Sequence, residues 1–164
     1  MALTPYCENA EVRAALGVNV IELADSVLDL PIYAIGLVRE LSKLEPSLPA
    51  LFSTIHSKAV DGRTSGEQSL HDAVKLFSAY AAARQVGVSL ASLLPKDVGD
   101  GKASISRFAD APYKETLARV EAMYLSTRAG LGATLKEFNQ APAASARIPR
   151  PFLAAPRGYD PVTG

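Results

Sequence analysis

Residues 110–138 read DAPYKETLARVEAMYLSTRAGLGATLKEF, and the fold turns on this stretch. Taken at helical spacing, it sets Tyr113, Leu117, Val120, Tyr124, Leu131, Leu135 and Phe138 along one side, with Thr127 as the polar break. Apolar residues recurring every three or four positions mark an amphipathic helix, here ~40 Å long at the helical rise per residue. The Asp110 carboxylate is placed to accept from the free N–H groups of the first turn, where Pro112 also fits. Lys114, Glu115, Arg119, Glu121, Arg128 and Lys136 fall mostly on the other side and keep it wet. Gly130 and Gly132 each weaken a helix by about 1 kcal/mol relative to Ala, so the pattern predicts a bend or a close backbone contact there.

Upstream, the same period recurs. Glu8 to Leu16 reads as a brief helix with Val12 and Leu16 inward, stopped by Gly17. Asn19 or Asp25 starts the next segment, with Val27, Leu30, Leu37, Val38, Leu41 and Leu44 apolar and Pro31 kinking it or opening a second helix. A short piece with Leu51, Phe52, Ile55 and Ala59 follows. Thr64 to Glu67, or Ser65 to Gln68, forms a capping box for a long helix through Gln85. Its buried stripe is Leu70, Ala73, Val74, Phe77, Tyr80 and Ala81; Ala81-Ala82-Ala83 admits a close neighbour, and Gly87 reads as the stop. Val88 to Leu94 is a short apolar segment and Lys96 to Phe108 a polar, Gly-rich loop, expected to be mobile. Residues 86–90 are the one place a brief strand could fit. The expected class is all-α, a compact helical bundle with a long C-terminal helix and then an extended arm.

Composition agrees with that class. The chain is 48% hydrophobic with no Trp, which suits Ala-rich helices packed closely. Its 17 basic and 17 acidic residues cancel, so no global field draws it to nucleic acid or membrane. One cysteine, Cys7, excludes an internal disulfide and fits a reducing compartment. Neither a signal peptide nor a membrane span is expected.

Catalytic chemistry finds no purchase. His56 and His71 lie on different helices, without cysteine or histidine at ligand spacing, so no metal is expected. Gly101-Lys102 lacks the Ser or Thr and the preceding strand of a phosphate loop. Asp97 and Asp100 do not match a calcium loop, Ser65 and Ser69 have no base, and Cys7 has no activating neighbour. The expectation is a protein that is not an enzyme and needs no cofactor.

After Gln140 the composition changes. Residues 1–140 form the helical body, and residues 141–164 carry Pro142, Pro149, Pro151, Pro156 and Pro161, which forbid a helix and favour polyproline-type extension. Ile148, Phe152, Leu153 and Tyr159 are apolar anchors that a purely solvating tail has no need of, and Arg147, Arg150 and Arg157 lie among them. These seven residues are the expected partner-binding set of an arm that orders in a partner's groove.

The N-terminal pattern adds a resemblance. Tyr6-Cys7-Glu8-Asn9-Ala10-Glu11-Val12-Arg13-Ala14-Ala15-Leu16-Gly17 precedes Glu22-Leu23-Ala24-Asp25 and Leu28-Asp29-Leu30-Pro31-Ile32-Tyr33. Over roughly residues 5–45 this resembles the head-to-tail adaptor (connector) proteins of tailed bacteriophages, small helical proteins that open with a Tyr, a short acidic-Val-Arg helix and a Leu-Gly stop. Glu8 stands where that family usually has Ser or Thr. The resemblance implies a structural virion protein made in the host cytoplasm, arranged in a twelve-fold ring of copies under the portal protein. It further implies that the arm reaches the portal, a stopper or tail-completion protein sits opposite, and DNA passes through the lumen. The other reading is a different small helical scaffold or interaction protein without catalytic activity.

Overall fold

The Glu11 carboxylate turns back to accept from the Glu8 N–H at 2.8 Å, and this opens α1, Asn9–Leu16, in the computed structural model. The structure describes residues 3–93, 97–99, 104–106 and 114–140. Gly17 ends α1 in the left-handed region, φ 70°, where a side chain would be strained. Val12 and Leu16 are fully buried, as their spacing predicts. Asn19 then caps one turn of its own, its side-chain oxygen accepting from the N–H groups of Ile21 and Glu22. The short α2 is Asp25–Leu28, and Pro31 opens α3, Pro31–Leu44, at a first-turn position that needs no N–H. Leu37 and Leu41 of α3 are buried, whereas Leu30 stays exposed, contrary to its place in the expected stripe. Helix α4, Leu48–His56, buries Leu48, Phe52 and Ile55.

The capping box at Thr64 is realised. Glu67 accepts from the Thr64 N–H at 2.9 Å, and the Thr64 hydroxyl accepts from the Glu67 N–H at 3.2 Å. It opens α5, Ser65–Leu93, which continues well beyond Gln85. Gly87 is therefore no stop, and residues 86–90 are helix, not strand. A Cβ at Gly87 would lie 2.5 Å from Leu117 Cδ2, so this glycine is where α6 comes close.

Helix α6, Lys114–Gln140, is the long helix expected from residues 110–138. Val120, Tyr124, Thr127, Leu131 and Leu135 are buried, with Leu117 and Phe138 at the edges of the seam. Asp110, Pro112 and Tyr113 lie outside the described residues. The helix runs through Gly130 and Gly132, and a Cβ at either would meet nothing within 4 Å, so the expected close contact is not made.

The body is all-α in class, a bundle with six α-helices among the described residues. One short exception falls where a loop was expected. Asp97–Gly99 (β1) and Ser104–Ser106 (β2) pair antiparallel, with Val98 opposite Ile105. Helix α5, not α6, is the hub: it packs against α1, α3, α4 and α6.

Candidate functional site

Arg63 decides the geometry at the junction of α4 and α5. Its guanidinium donates to the Ile55 carbonyl at 3.1 Å and the His56 carbonyl at 3.3 Å, satisfying the open end of α4, and to Gln68 Oε1 at 3.1 Å on α5. The clamp brings together two histidines that lie fifteen residues apart in the chain. His56 Nδ1 stands 3.3 Å from His71 Nε2, with ring planes 10° apart and centroids 5.6 Å apart. That centroid distance is the N···N gap plus a ring radius at each end, so the rings lie end to end and share one proton along their common axis. The two nitrogens point at each other and do not converge on a third point, which is hydrogen-bond geometry rather than metal geometry. Among the described residues, no three metal-ligating side chains come together.

Asp72 extends the chain of contacts. Its Oδ1 lies 3.2 Å from His71 Nδ1 and accepts from Gln68 Nε2 at 2.8 Å. With the proton on His71 Nδ1, His71 Nε2 accepts from His56 and leaves His56 Nε2 as a base. Phe52 lies beside both histidine rings, and Tyr6 stacks on Phe52 at 5.2 Å. Burial lowers the His56 pKa, helped by the charges of His71, Arg63 and Lys75. Burial works to raise the Asp72 pKa, but hydrogen bonds from Gln68 and His71 outweigh it and the net shift is downward. No spacing rule finds such a pair; the signal was the short α4–Arg63–α5 turn, which folds one helix end back onto the next helix start.

Asp72 also stands at the end of an open groove between α1 and α5, about 490 Å³ in volume. It is lined by Ala14, Ala15 and Ala79, by Leu76 and Tyr80, and by the charged Glu11, Lys75 and Asp72. Leu76 is 53% exposed although it lines a groove beside the core. Lys75 Nζ approaches Glu11 at 3.8 Å. Beneath them Cys7 is buried, and burial first, then the Glu11 charge, pushes its thiol up to about 12. That thiol stays protonated and inert near neutral pH, in line with a structural cysteine.

Large apolar side chains are also left open on the α1–α2 connection and at the start of α3. Ile21 is 91% exposed, Ile32 68% and Ile35 59%, with Val20 and Leu30 also open. Ile32 and Ile35 are three apart and share one side of α3.

The expected partner-binding residues Arg147, Ile148, Arg150, Phe152, Leu153, Arg157 and Tyr159 lie outside the described residues, as does the arm they belong to. Among the described residues, no helix is long and apolar enough to cross a membrane. No protein family, curated protein or solved structure matches the chain.

Proposed function

We propose that this chain is a head-to-tail adaptor of a tailed bacteriophage, a structural virion protein repeated in a ring beneath the portal protein. One observation carries the reading. The segment that resembles the adaptor family, residues 5–45, also holds five of the ten large apolar side chains exposed among the described residues, with Ile21, Ile32 and Ile35 each more than half open. Bulky apolar groups left open within one short stretch suit an interaction surface. In a ring, each copy presents one patch to a different patch on its neighbour, and the contact closes by rotation. A chain of zero net charge also suits a channel that DNA must slide through, because a strongly basic lumen would grip phosphates. In this reading, residues 141–164 reach onto the portal, a stopper or tail-completion protein meets the far side, and up to twelve copies match the portal's symmetry.

The test is electron microscopy of the purified chain mixed with portal rings. Rings of this protein stacked on the portal are expected, and the double variant Ile21→Asp with Ile35→Asp should remain helical but fail to stack. A wild-type chain that stays monomeric beside portal rings at high concentration overturns the proposal.

A further inference from the structure

We infer that the groove between α1 and α5 is the docking site of the chain's own C-terminal segment, residues 141–164. The groove lacks an occupant among the described residues, yet it is built like a site for a proline-rich ligand. Its three alanines leave room for a backbone to lie close, Tyr80 and Leu76 offer an aromatic and an apolar side chain, and the carboxylates of Glu11 and Asp72 belong to the same lining. Grooves with an aromatic wall take polyproline-type segments because such segments are already extended and lose little entropy on binding. Flanking carboxylates then select for arginine. Residues 147–157 supply that chemistry: Pro149, Pro151 and Pro156, with Arg147, Arg150 and Arg157 among them.

The place where α6 ends favours the chain's own segment over another partner's. Phe138, near the end of α6, packs against the second residue of α5, where a Cβ at Gly66 would lie 3.7 Å from its Cδ2. Asp72, at the near end of the groove, is ~9 Å further along α5 at the helical rise per residue. An extended chain covers ~20 Å between Gln140 and Arg147, enough to pass around the start of α5. A ligand tethered this closely has an effective concentration in the millimolar range, so a weak contact suffices to fill the groove. Charge agrees in sign. Glu11 and Asp72 outweigh Lys75 in the groove, and three arginines outweigh Asp160 in the segment. The inference stands apart from the ring proposal; if both hold, the portal must compete with the groove for the same residues.

The experiment uses the full-length chain with a nitroxide spin label on Ala154→Cys. The buried, protonated Cys7 does not compete for the reagent. Backbone NMR signals of Ala14, Ala15, Leu76 and Ala79 should broaden selectively, while those of Ala122 and Ala129 on the outer side of α6 should not. Leu76→Glu, at an exposed position, should abolish the broadening; so should Arg147→Glu with Arg150→Glu, which leaves the body untouched. Broadening spread evenly over the body, or centred elsewhere, overturns the inference. A mixture in which the labelled copy broadens the groove of an unlabelled copy, with no effect inside one molecule, overturns it too, because the occupant is then a neighbour's segment. Portal binding is not read out here, so failure of the ring proposal leaves this result unchanged.

Discussion

Helices α5 and α6 have nearly the same length, 29 and 27 residues, yet they are buried in different ways. Helix α6 follows the amphipathic rule: one seam inside, the rest in water. Helix α5 breaks it from Phe77 onward, where residues 77–79 and 81–83 are all buried. Three consecutive helical residues span about 200° of the circumference, so no single face accounts for this burial. Small side chains make it possible. Ala79, Ala81, Ala82, Ala83 and Gly87 let α1, α3 and α6 close around α5, and Ser78 is enclosed with its hydroxyl unpaired among the described residues. An enveloped helix and a one-sided helix should answer mutation differently.

The largest effect should come from Phe77→Ala. Phe77 is fully buried and lies 5.6 Å from the Tyr124 ring, so the cavity left behind is walled by several helices and cannot collapse. The expected loss is about 4 to 5 kcal/mol, the upper end for an aromatic deletion. Leu131→Ala on α6 should cost about 2 to 3 kcal/mol, because the solvent side of that helix can relax inward. Leu125→Ala, on the exposed side of α6, should stay within about 0.5 kcal/mol. Urea denaturation orders the three; equal costs at Phe77 and Leu131 would remove the distinction between the helices.

Glycine gives a smaller but sharper contrast, because the expected signs differ. Gly87→Ala places a methyl against Leu117 and Leu16, and overpacking should exceed the gain in helix propensity, for a net loss of about 1 kcal/mol. Gly130→Ala meets nothing and should stabilise α6 by about 1 kcal/mol. Thermal melts of the two variants moving the same way would break the comparison.

The glycines also show what was legible in the sequence. Gly17, Gly87 and Gly130 look alike in a string. Gly17 was read correctly as a stop because its neighbours carry the helix-end pattern. Gly87 was misread as a stop because its cause, Leu117, lies about thirty residues away and belongs to packing. Gly130 carries the expectation of a bend or a close contact, and of the two the contact is not made. The α6 seam, the Thr64–Glu67 cap and the Pro31 start were all legible because each depends on residues within a few positions of one another. The wide burial of α5 was legible only in part: Ala81-Ala82-Ala83 announces a close neighbour, but alanine carries almost no signal of which side is buried. The His56–His71 pair was missed for the same reason as Gly87: a turn held by Arg63 creates it, and no spacing rule encodes that turn.

The polar ties of the two helices separate by pH, and this is the smallest effect. Helix α5 is tied to α4 through His71 and His56, while α6 is tied to α3 by the Tyr124 hydroxyl, which donates to Glu40 at 3.0 Å. The His56 pKa is lowered in the fold, chiefly by burial, so the unfolded chain takes up that proton more readily than the native one. Stability therefore rises with pH across this window. His56's contribution is complete above the ordinary histidine value of about 6.5 and is lost as pH falls through the lower folded value. The Glu40 pKa is also lowered, first by the hydrogen bond from Lys43; burial opposes the shift and the bond from Tyr124 adds to it. Its contribution is present above about 4.3 and is lost as pH falls through its own folded value. Both groups destabilise the fold on acidification, but in separate windows. Urea midpoints at pH 7.5, 5.5 and 3 should show two steps. His56→Ala should flatten the step nearer neutrality and keep the acid one, whereas Tyr124→Phe should keep the first and shrink the second. Packing beside Phe52 and His71 desolvates the His56 ring only in part and the residue as a whole is exposed, so solvent screening keeps its step small. An unchanged first step in His56→Ala would show that the junction of α4 and α5 rests on Arg63 and Phe52 alone, with the histidine pair a passive consequence of the turn.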